Sequence, residues 1–290
     1  MENSTVHWII KVLEKNTSSS VCLYTSPSGN KYIAKKTTHS RLKFEYGILS
    51  SLDHPNIIKV FGCFDPMDKQ FMMMSEFCEQ GDMIRFLENY TGKILNKENI
   101  LNGSLEKFWR TIFISILDIL LYLEERNLAH LDIKPENVLM TSNFTIKMCD
   151  FEYIFPAKSE DGKAFLCNFL CGTEAYFSPE IKEKKVPYDP IKSEIFSFGI
   201  SILNMLTAGQ VFMKDMVTSD KRYEFLKNDD FLRFWSTIKL SKFLSNDFKD
   251  LMEKMMKYDA EKRIDFEGIK QHPWVNRPVL SREEIIKLLQ

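Results

Sequence analysis

Between His130 and Asn137 the chain reads His-Leu-Asp-Ile-Lys-Pro-Glu-Asn, and thirteen residues after Asn137 comes Asp150-Phe151-Glu152. These two stretches constrain the fold more than any other part of the sequence. Taken singly, Asp132 could cap a turn and Asn137 could tie down a loop. The joint pattern H-x-D-x-K-P-x-x-N followed by D-F fixes too many positions for those bland uses. It sets two carboxylates, a carboxamide and an ammonium in one short span, and hard oxygen donors of this kind suit a small divalent cation.

The remainder divides into a strand-rich first part and a helix-rich second part. Val21-Cys22-Leu23-Tyr24 and Tyr32-Ile33-Ala34-Lys35 flank the turn Ser26-Pro27-Ser28-Gly29-Asn30, a hairpin signal. Arg41 to Leu52 places Leu42, Tyr46, Leu49 and Leu52 at helical spacing, with Ser40 available as N-cap. Residues 57–64 and 70–77 are two more strand candidates. From Asp82 onward helices are expected. The longest, Ser104 to Arg126, repeats Leu105, Phe108, Ile112, Phe113, Ile116, Leu120 and Leu123 three and four apart. Ser281-x-x-Glu284 reads as a capping box for a closing helix, whereas Ser245-x-x-Phe248 lacks the carboxylate a box needs. Residues 91–104 and 153–175 read as irregular, and long irregular stretches inside compact domains are usually functional.

Composition narrows the partners. With 39 basic and 40 acidic residues the formal net charge is -1, so no overall attraction to nucleic acid or to an anionic membrane is expected. The six cysteines contain no C-x-x-C pair, and Cys167-x-x-x-Cys171 has no histidine set beside it for zinc. Reduced thiols and an intracellular location, cytoplasmic or nuclear, are expected. Met1-Glu2-Asn3-Ser4 does not open a secretory signal, and Ile195 to Ala208 is too short and too polar for a membrane span.

In their order along the chain these motifs resemble the eukaryotic protein kinase catalytic domain of the serine/threonine type. Leu131 adds a resemblance to the calcium/calmodulin-dependent and myosin light chain kinase-like group. The resemblance covers nearly the whole chain and implies an α+β, bilobal fold. It implies an N-terminal lobe, residues 1–77, with a five-stranded antiparallel sheet and one helix. A mainly helical C-terminal lobe, residues 78–290, would contain the activation segment, 150–180. The implied activity is transfer of the γ-phosphoryl group of ATP, with Mg2+ or alternatively Mn2+, to serine or threonine hydroxyls of a protein substrate.

The resemblance also assigns roles. Asp132 would orient the incoming hydroxyl and accept its proton, Lys134 would neutralise charge on the transferred group, and Asn137 and Asp150 would hold the metal. Lys35 would hold the α- and β-phosphates while paired with Glu45; strand alternation aims Lys36 the other way. Val21 would belong to the lid over the nucleotide, Glu76 and Cys78 to the hinge that meets adenine, and Asp82 would touch the ribose. Thr173 would hydrogen-bond Asp132 or Lys134, and Glu180 would pair with a buried Arg263.

Several positions depart from the family pattern. Glu14 to Val21 has Asn16 and Ser19 where glycines are usual, which weakens the lid. Glu152 stands for a glycine and restricts a backbone flip, while placing another carboxylate near the metal position or in solvent. Leu131 stands for an arginine that reads a phosphate on the activation segment, and Glu194 for an aspartate that holds the catalytic-loop backbone. The short Lys35–Glu45 interval implies a trimmed helix. Ser75 is a small residue before the hinge and implies a back pocket. Glu136 and Asp82 imply a preference for basic residues near the acceptor. The lost glycines and the Asp-Phe-Glu variant also admit an alternative, a pseudokinase that binds nucleotide or a partner and signals by conformation.

Overall fold

The structure is a computed structural model, and it describes residues 8–15, 19–38, 41–65, 71–158, 165–207 and 220–290. Its first part holds strands β1 (Ile9–Lys15), β2 (Ser19–Thr25) and β3 (Lys31–Thr37), helix α1 (Arg41–Ser51), and strands β4 (Val60–Phe64) and β5 (Phe71–Glu76). The five strands form one antiparallel sheet in the order β1-β2-β3-β5-β4.

The β2–β3 turn is closed by Ser26, which accepts the Gly29 N–H on its carbonyl at 2.8 Å and the Asn30 N–H on its hydroxyl at 3.0 Å. Gly29 sits at φ 85°, a value a side chain would resist. The turn fixes the register that sets Val21 opposite Lys35 and Lys35 opposite Met73. Paired residues share a face, so Val21 and Lys35 point the same way. Lys36 lies on the other face, over the Tyr24 ring, as alternation requires.

Helix α1 buries Leu42, Glu45 and Leu49, one stripe at helical spacing. Glu45 therefore enters the interior with two leucines, and a buried carboxylate needs a partner. The helix spans 11 residues. Ser40, the expected N-cap, lies outside the described residues, as do Asn16, Thr17 and Ser18 of the lid.

The second part is mainly helical. It contains β6 (Gly81–Asp82), α2 (Met83–Ile94), α3 (Lys97–Leu101), α4 (Ser104–Glu124), β7 (Leu128–Ala129), β8 (Val138–Met140), β9 (Ile146–Met148) and β10 (Phe155–Pro156). After these come α5 (Pro179–Lys182), α6 (Pro190–Leu206), α7 (Lys221–Lys227), α8 (Phe231–Ser236), α9 (Asn246–Met255), α10 (Phe266–Gln271) and α11 (Arg282–Leu289). The bilobal architecture expected from the resemblance is thus observed. The large core is built around α4 and α6, where Phe113 stacks on Phe198 at 4.5 Å and meets Trp274 edge-on at 5.3 Å. No helix among the described residues is long and apolar enough to cross a membrane. All six cysteines are free thiols.

Some local expectations change. Ile57 and Ile58 are not part of β4: Ile57 bridges to Met148, and the Ile58 N–H donates to the Met148 carbonyl at 2.9 Å. That backbone pairing ties the approach to β4 to the second part of the chain. Residues 91–104 are not irregular. Helix α2 continues to Ile94, and Asn96 caps α3 by accepting the Asn99 N–H at 2.7 Å. The Ser281–Glu284 capping box forms as expected. Ser245 is also a working cap, accepting the Phe248 N–H at 3.2 Å. The carboxylate missing from its own turn is supplied by Glu106, which accepts both the Ser245 N–H and its hydroxyl.

Candidate active site

The loop between β7 and β8 is shaped by two buried side chains. Glu194 of α6 accepts the N–H groups of His130 and Leu131 on one oxygen, at 2.6 and 2.9 Å. This holds Leu131 at φ 63°, a left-handed conformation costly for a branched residue. The extra methylene of glutamate still reaches the loop. His130 Nδ1 accepts the Asp132 N–H at 3.2 Å, so its Nε2 carries the proton donated to the Cys149 carbonyl at 3.2 Å. The ring is neutral and fully buried, and burial pushes its pKa down. It ties the segment containing Asp132 to the segment entering Asp150.

Asp132 is the centre of a tight cluster. Its Oδ2 accepts from Lys134 Nζ at 2.7 Å and from Asn137 Nδ2 at 3.0 Å, and its Oδ1 accepts from Thr173 Oγ1 at 2.7 Å. Lys134 Nζ also donates to Thr173 Oγ1 at 2.7 Å. Thr173 reaches this place because Gly172 (φ 95°) lies flat on the loop; a Cβ there would sit 2.4 Å from the Leu131 carbonyl oxygen. Burial alone would lower the Lys134 pKa, but Asp132 more than reverses it, so the ammonium stays charged.

Asp150, at φ 62°, faces the sheet. Lys35 Nζ donates to Asp150 Oδ1 at 2.7 Å and to Glu45 Oε2 at 3.0 Å. The other oxygen of Glu45 accepts the Phe151 N–H at 3.1 Å, and the Phe151 ring packs on His130 at 4.6 Å. Burial would neutralise Lys35, yet its two carboxylates hold its pKa above the usual lysine value. Burial pushes Asp150 up and Lys35 more than offsets this, leaving Asp150 below the usual range. Glu45, the most enclosed, is raised by burial that Lys35 only partly offsets. Glu152 is half-exposed beside this cluster.

The remaining expected site residues sit at the rim. Glu76 closes β5, its carboxylate paired with Lys147 at 2.9 Å and its N–H donated to the Lys59 carbonyl. Its side chain is structural, since the same carboxylate also accepts the Lys59 N–H at 2.8 Å. Cys78 accepts the Gly81 N–H on its carbonyl, while its own N–H has no acceptor among the described residues. An unmatched backbone donor there fits the edge of a purine. Asp82 caps α2 by accepting the Arg85 N–H at 2.8 Å, a role that occupies one of its oxygens.

Asn137 commits Nδ2 to Asp132, which leaves its Oδ1 as the available oxygen, and Asp150 keeps Oδ2 free of Lys35. Among the described residues no group of three or more His, Cys, Asp or Glu side chains could hold a metal alone. Two such oxygen donors suit a hard divalent cation that keeps waters and takes phosphate oxygens as further ligands.

Residues 8–275 match the family described as "Protein kinase domain". The chain belongs to that family. Among curated relatives, the Aurora kinase of Saccharomyces cerevisiae is 29% identical over 256 residues, covering 87% of this chain and 62% of that protein. The serine/threonine-protein kinase cds1 of Schizosaccharomyces pombe is 30% identical over 289 residues, covering 92% of this chain and 57% of that protein. The testis-specific serine/threonine-protein kinase 2 of Mus musculus is 26% identical over 236 residues, 81% of this chain and 60% of that protein. The chain therefore spans about 60% of the length of these relatives. Membership in the protein kinase family carries ATP and a divalent metal with it.

Two features anchor the stretch from Cys167 to Ile181 of this kinase domain. Arg263, whose side chain is fully buried, grips Glu180 with both nitrogens at 2.7 and 2.6 Å. Leu131 packs in an apolar cluster with Ala129, Cys167, Cys171, Ile181 and Tyr188. Where the family pattern has an arginine, this kinase domain has a hydrophobic contact. His130 is marked in the sequence only by its place in the H-x-D motif and the Phe151 N–H not at all, because what each does depends on how separate segments meet.

Proposed function

We propose that this chain is a single protein kinase domain that transfers the γ-phosphoryl group of Mg-ATP to serine and threonine hydroxyls of protein substrates. The observation that carries this reading is the cluster around Asp132. One carboxylate is held by Lys134, Asn137 and Thr173, with Asp150 and Lys35 completing the same cleft.

Asp132 would orient the acceptor hydroxyl and take its proton as the oxygen–phosphorus bond forms. Lys134 would offset charge on the phosphoryl oxygens, and Lys35, held by Glu45, would do so for the α- and β-phosphates. Asn137 and Asp150 would hold magnesium, with manganese as a substitute. Bound there, the ion supplies charge neutralisation at the phosphate oxygens. Cys78 and the Glu76 carbonyl would meet adenine, Val21 would cover it, and Asp82 would offer its second oxygen to the ribose. The division between lobes falls at residues 77 and 78, and residues 150–180 act as activation segment.

The protein substrate is proposed to carry basic residues near the acceptor, recognised by Glu136 and Asp82. Placement near the calcium/calmodulin-dependent and myosin light chain kinase-like group rests on Leu131 alone. An intracellular location is supported by six free thiols. The intact donor set weighs against the pseudokinase alternative. Phosphoamino-acid analysis of a generic basic protein, incubated with the full chain and labelled Mg-ATP, tests the reading. Phosphoserine and phosphothreonine are expected; phosphotyrosine alone, or no label, contradicts it.

A further inference from the structure

The face of the small sheet opposite Lys35 carries a continuous aromatic row. Trp8 meets Tyr24 at 6.3 Å and Tyr32 at 5.9 Å, and Tyr32 meets Phe61 edge-on at 5.5 Å. Register explains the row: Ile10 lies opposite Tyr24 and Tyr24 opposite Tyr32, so their side chains share one face of three adjacent strands. Around it Ile10 and Val12 are 53% and 55% exposed, and Phe61 and Phe64 49% and 48%. A patch of large apolar side chains left this open, and contiguous across strands, marks an interaction surface rather than scattered exposure. Tryptophan and tyrosine are also the side chains that concentrate binding energy in protein interfaces.

The patch is bordered by cations. Lys36 Nζ lies 5.4 Å from the Tyr24 ring centre and Lys59 Nζ 6.0 Å from Phe61. By register Lys15 and Lys36 lie on this outer face, and its one strand carboxylate, Glu76, is already paired with Lys147. The outer face is therefore locally basic in a chain whose net charge is -1. None of Trp8, Ile10, Tyr24, Tyr32, Phe61, Lys36 and Lys59 belongs to the proposed transfer site.

We propose that this outer face docks an acidic segment of a partner protein. Its aliphatic or aromatic side chains would sit among Trp8, Ile10, Tyr32 and Phe61, while its carboxylates meet Lys36 and Lys59. A peptide fits better than single-stranded nucleic acid. The ring planes along the row are inclined by 53° to 87°, so neighbouring rings offer no common platform for stacked bases. Ile10 and Val12 add aliphatic surface suited to side chains instead.

The test uses the full chain and labelled twelve-residue peptides in which Glu or Asp alternates with Leu, Ile or Phe. Control probes are the same peptides with Lys in the acidic positions, and oligo(dT) of equal length. The acidic peptides are expected to bind, and to weaken at least tenfold in Trp8→Ser/Phe61→Ser and in Lys36→Glu/Lys59→Glu. Phosphate transfer to a generic substrate is expected to stay unchanged in both variants. The charge-reversal pair keeps the test decisive should the aromatic pair fold poorly. No peptide binding, binding that ignores both variants, preference for the lysine peptides or for oligo(dT), or a patch-dependent self-association in place of peptide binding would each overturn the proposal.

Discussion

Lys35 and Glu45 meet at 3.0 Å although only ten residues separate them in the chain. The short helix α1 suffices because Glu45 lies on its buried stripe, between Leu42 and Leu49, and so cannot point to solvent. The pair also reaches Asp150 and the Phe151 N–H, so one carboxylate sets the position of both the lysine and the metal-side loop.

Glu45→Gln removes the charge and keeps the shape. A charge-assisted hydrogen bond of this kind is worth about 1.5–3 kcal/mol. The expected result is a fall in kcat/KM for ATP of roughly ten- to a hundredfold, with the thermal midpoint little changed. Steady-state kinetics at varied ATP checks this, and an unaltered kcat/KM would show that the pair is ornamental to nucleotide handling.

Arg263→Ala leaves Glu180 without its partner in a mostly buried position. Breaking such a pair costs about 3–5 kcal/mol. Thermal unfolding is expected to show a drop of several degrees or more. Restoring lysine should recover only part of it, since lysine cannot reproduce the two-nitrogen grip.

Glu194 gives a pH dependence. Burial raises its pKa to about 7 from 4.5, against the opposing pull of the Leu131 and His130 N–H groups. The native state then binds more protons than the unfolded state between those values. Stability contributed by this group is therefore present at low pH and falls as pH rises through about 4.5 to 7. The total is about 3 kcal/mol, from the shift at about 1.4 kcal/mol per unit. Its second oxygen is buried with no partner among the described residues, consistent with a proton residing there. Glu194→Gln should flatten the stability profile across pH 5–8 relative to wild type; superimposable slopes for the two proteins would reject the assignment.

Leu131→Arg inserts a guanidinium into the cluster of Cys167, Cys171, Ile181 and Tyr188. An unpaired charge in apolar surroundings is costly, so the segment should be displaced. Peptide phosphorylation is expected to fall about tenfold in kcat/KM, whereas Leu131→Met, which conserves volume, should retain it. Equal activity of the two variants would show that Leu131 does not hold the segment.

Much of the site was legible from local spacing. Asp132, Lys134 and Asn137 lie within six residues, so their contact follows from one loop conformation. Lys35 and Glu180 were legible through resemblance, since their partners are distant in sequence. What stayed hidden depends on tertiary encounters. The capping duty of Asp82 is set by where α2 begins, and the reach of Glu106 to Ser245 and Trp274 crosses more than a hundred residues. The pairing of Ile57 with Met148 overrode a local strand pattern because the second part of the chain offered backbone partners that β4 could not. The aromatic row was equally invisible, because Trp8, Tyr24, Tyr32 and Phe61 become neighbours only once the sheet order is known.

The most direct test is phosphate transfer from labelled Mg-ATP to a generic basic protein by the wild-type chain, Asp132→Asn and Lys35→Met. The wild type is expected to incorporate label, with both variants reduced at least a hundredfold, in line with loss of general-base and phosphate-positioning groups. Equal and negligible incorporation by all three would contradict the account and favour a chain that signals without catalysis.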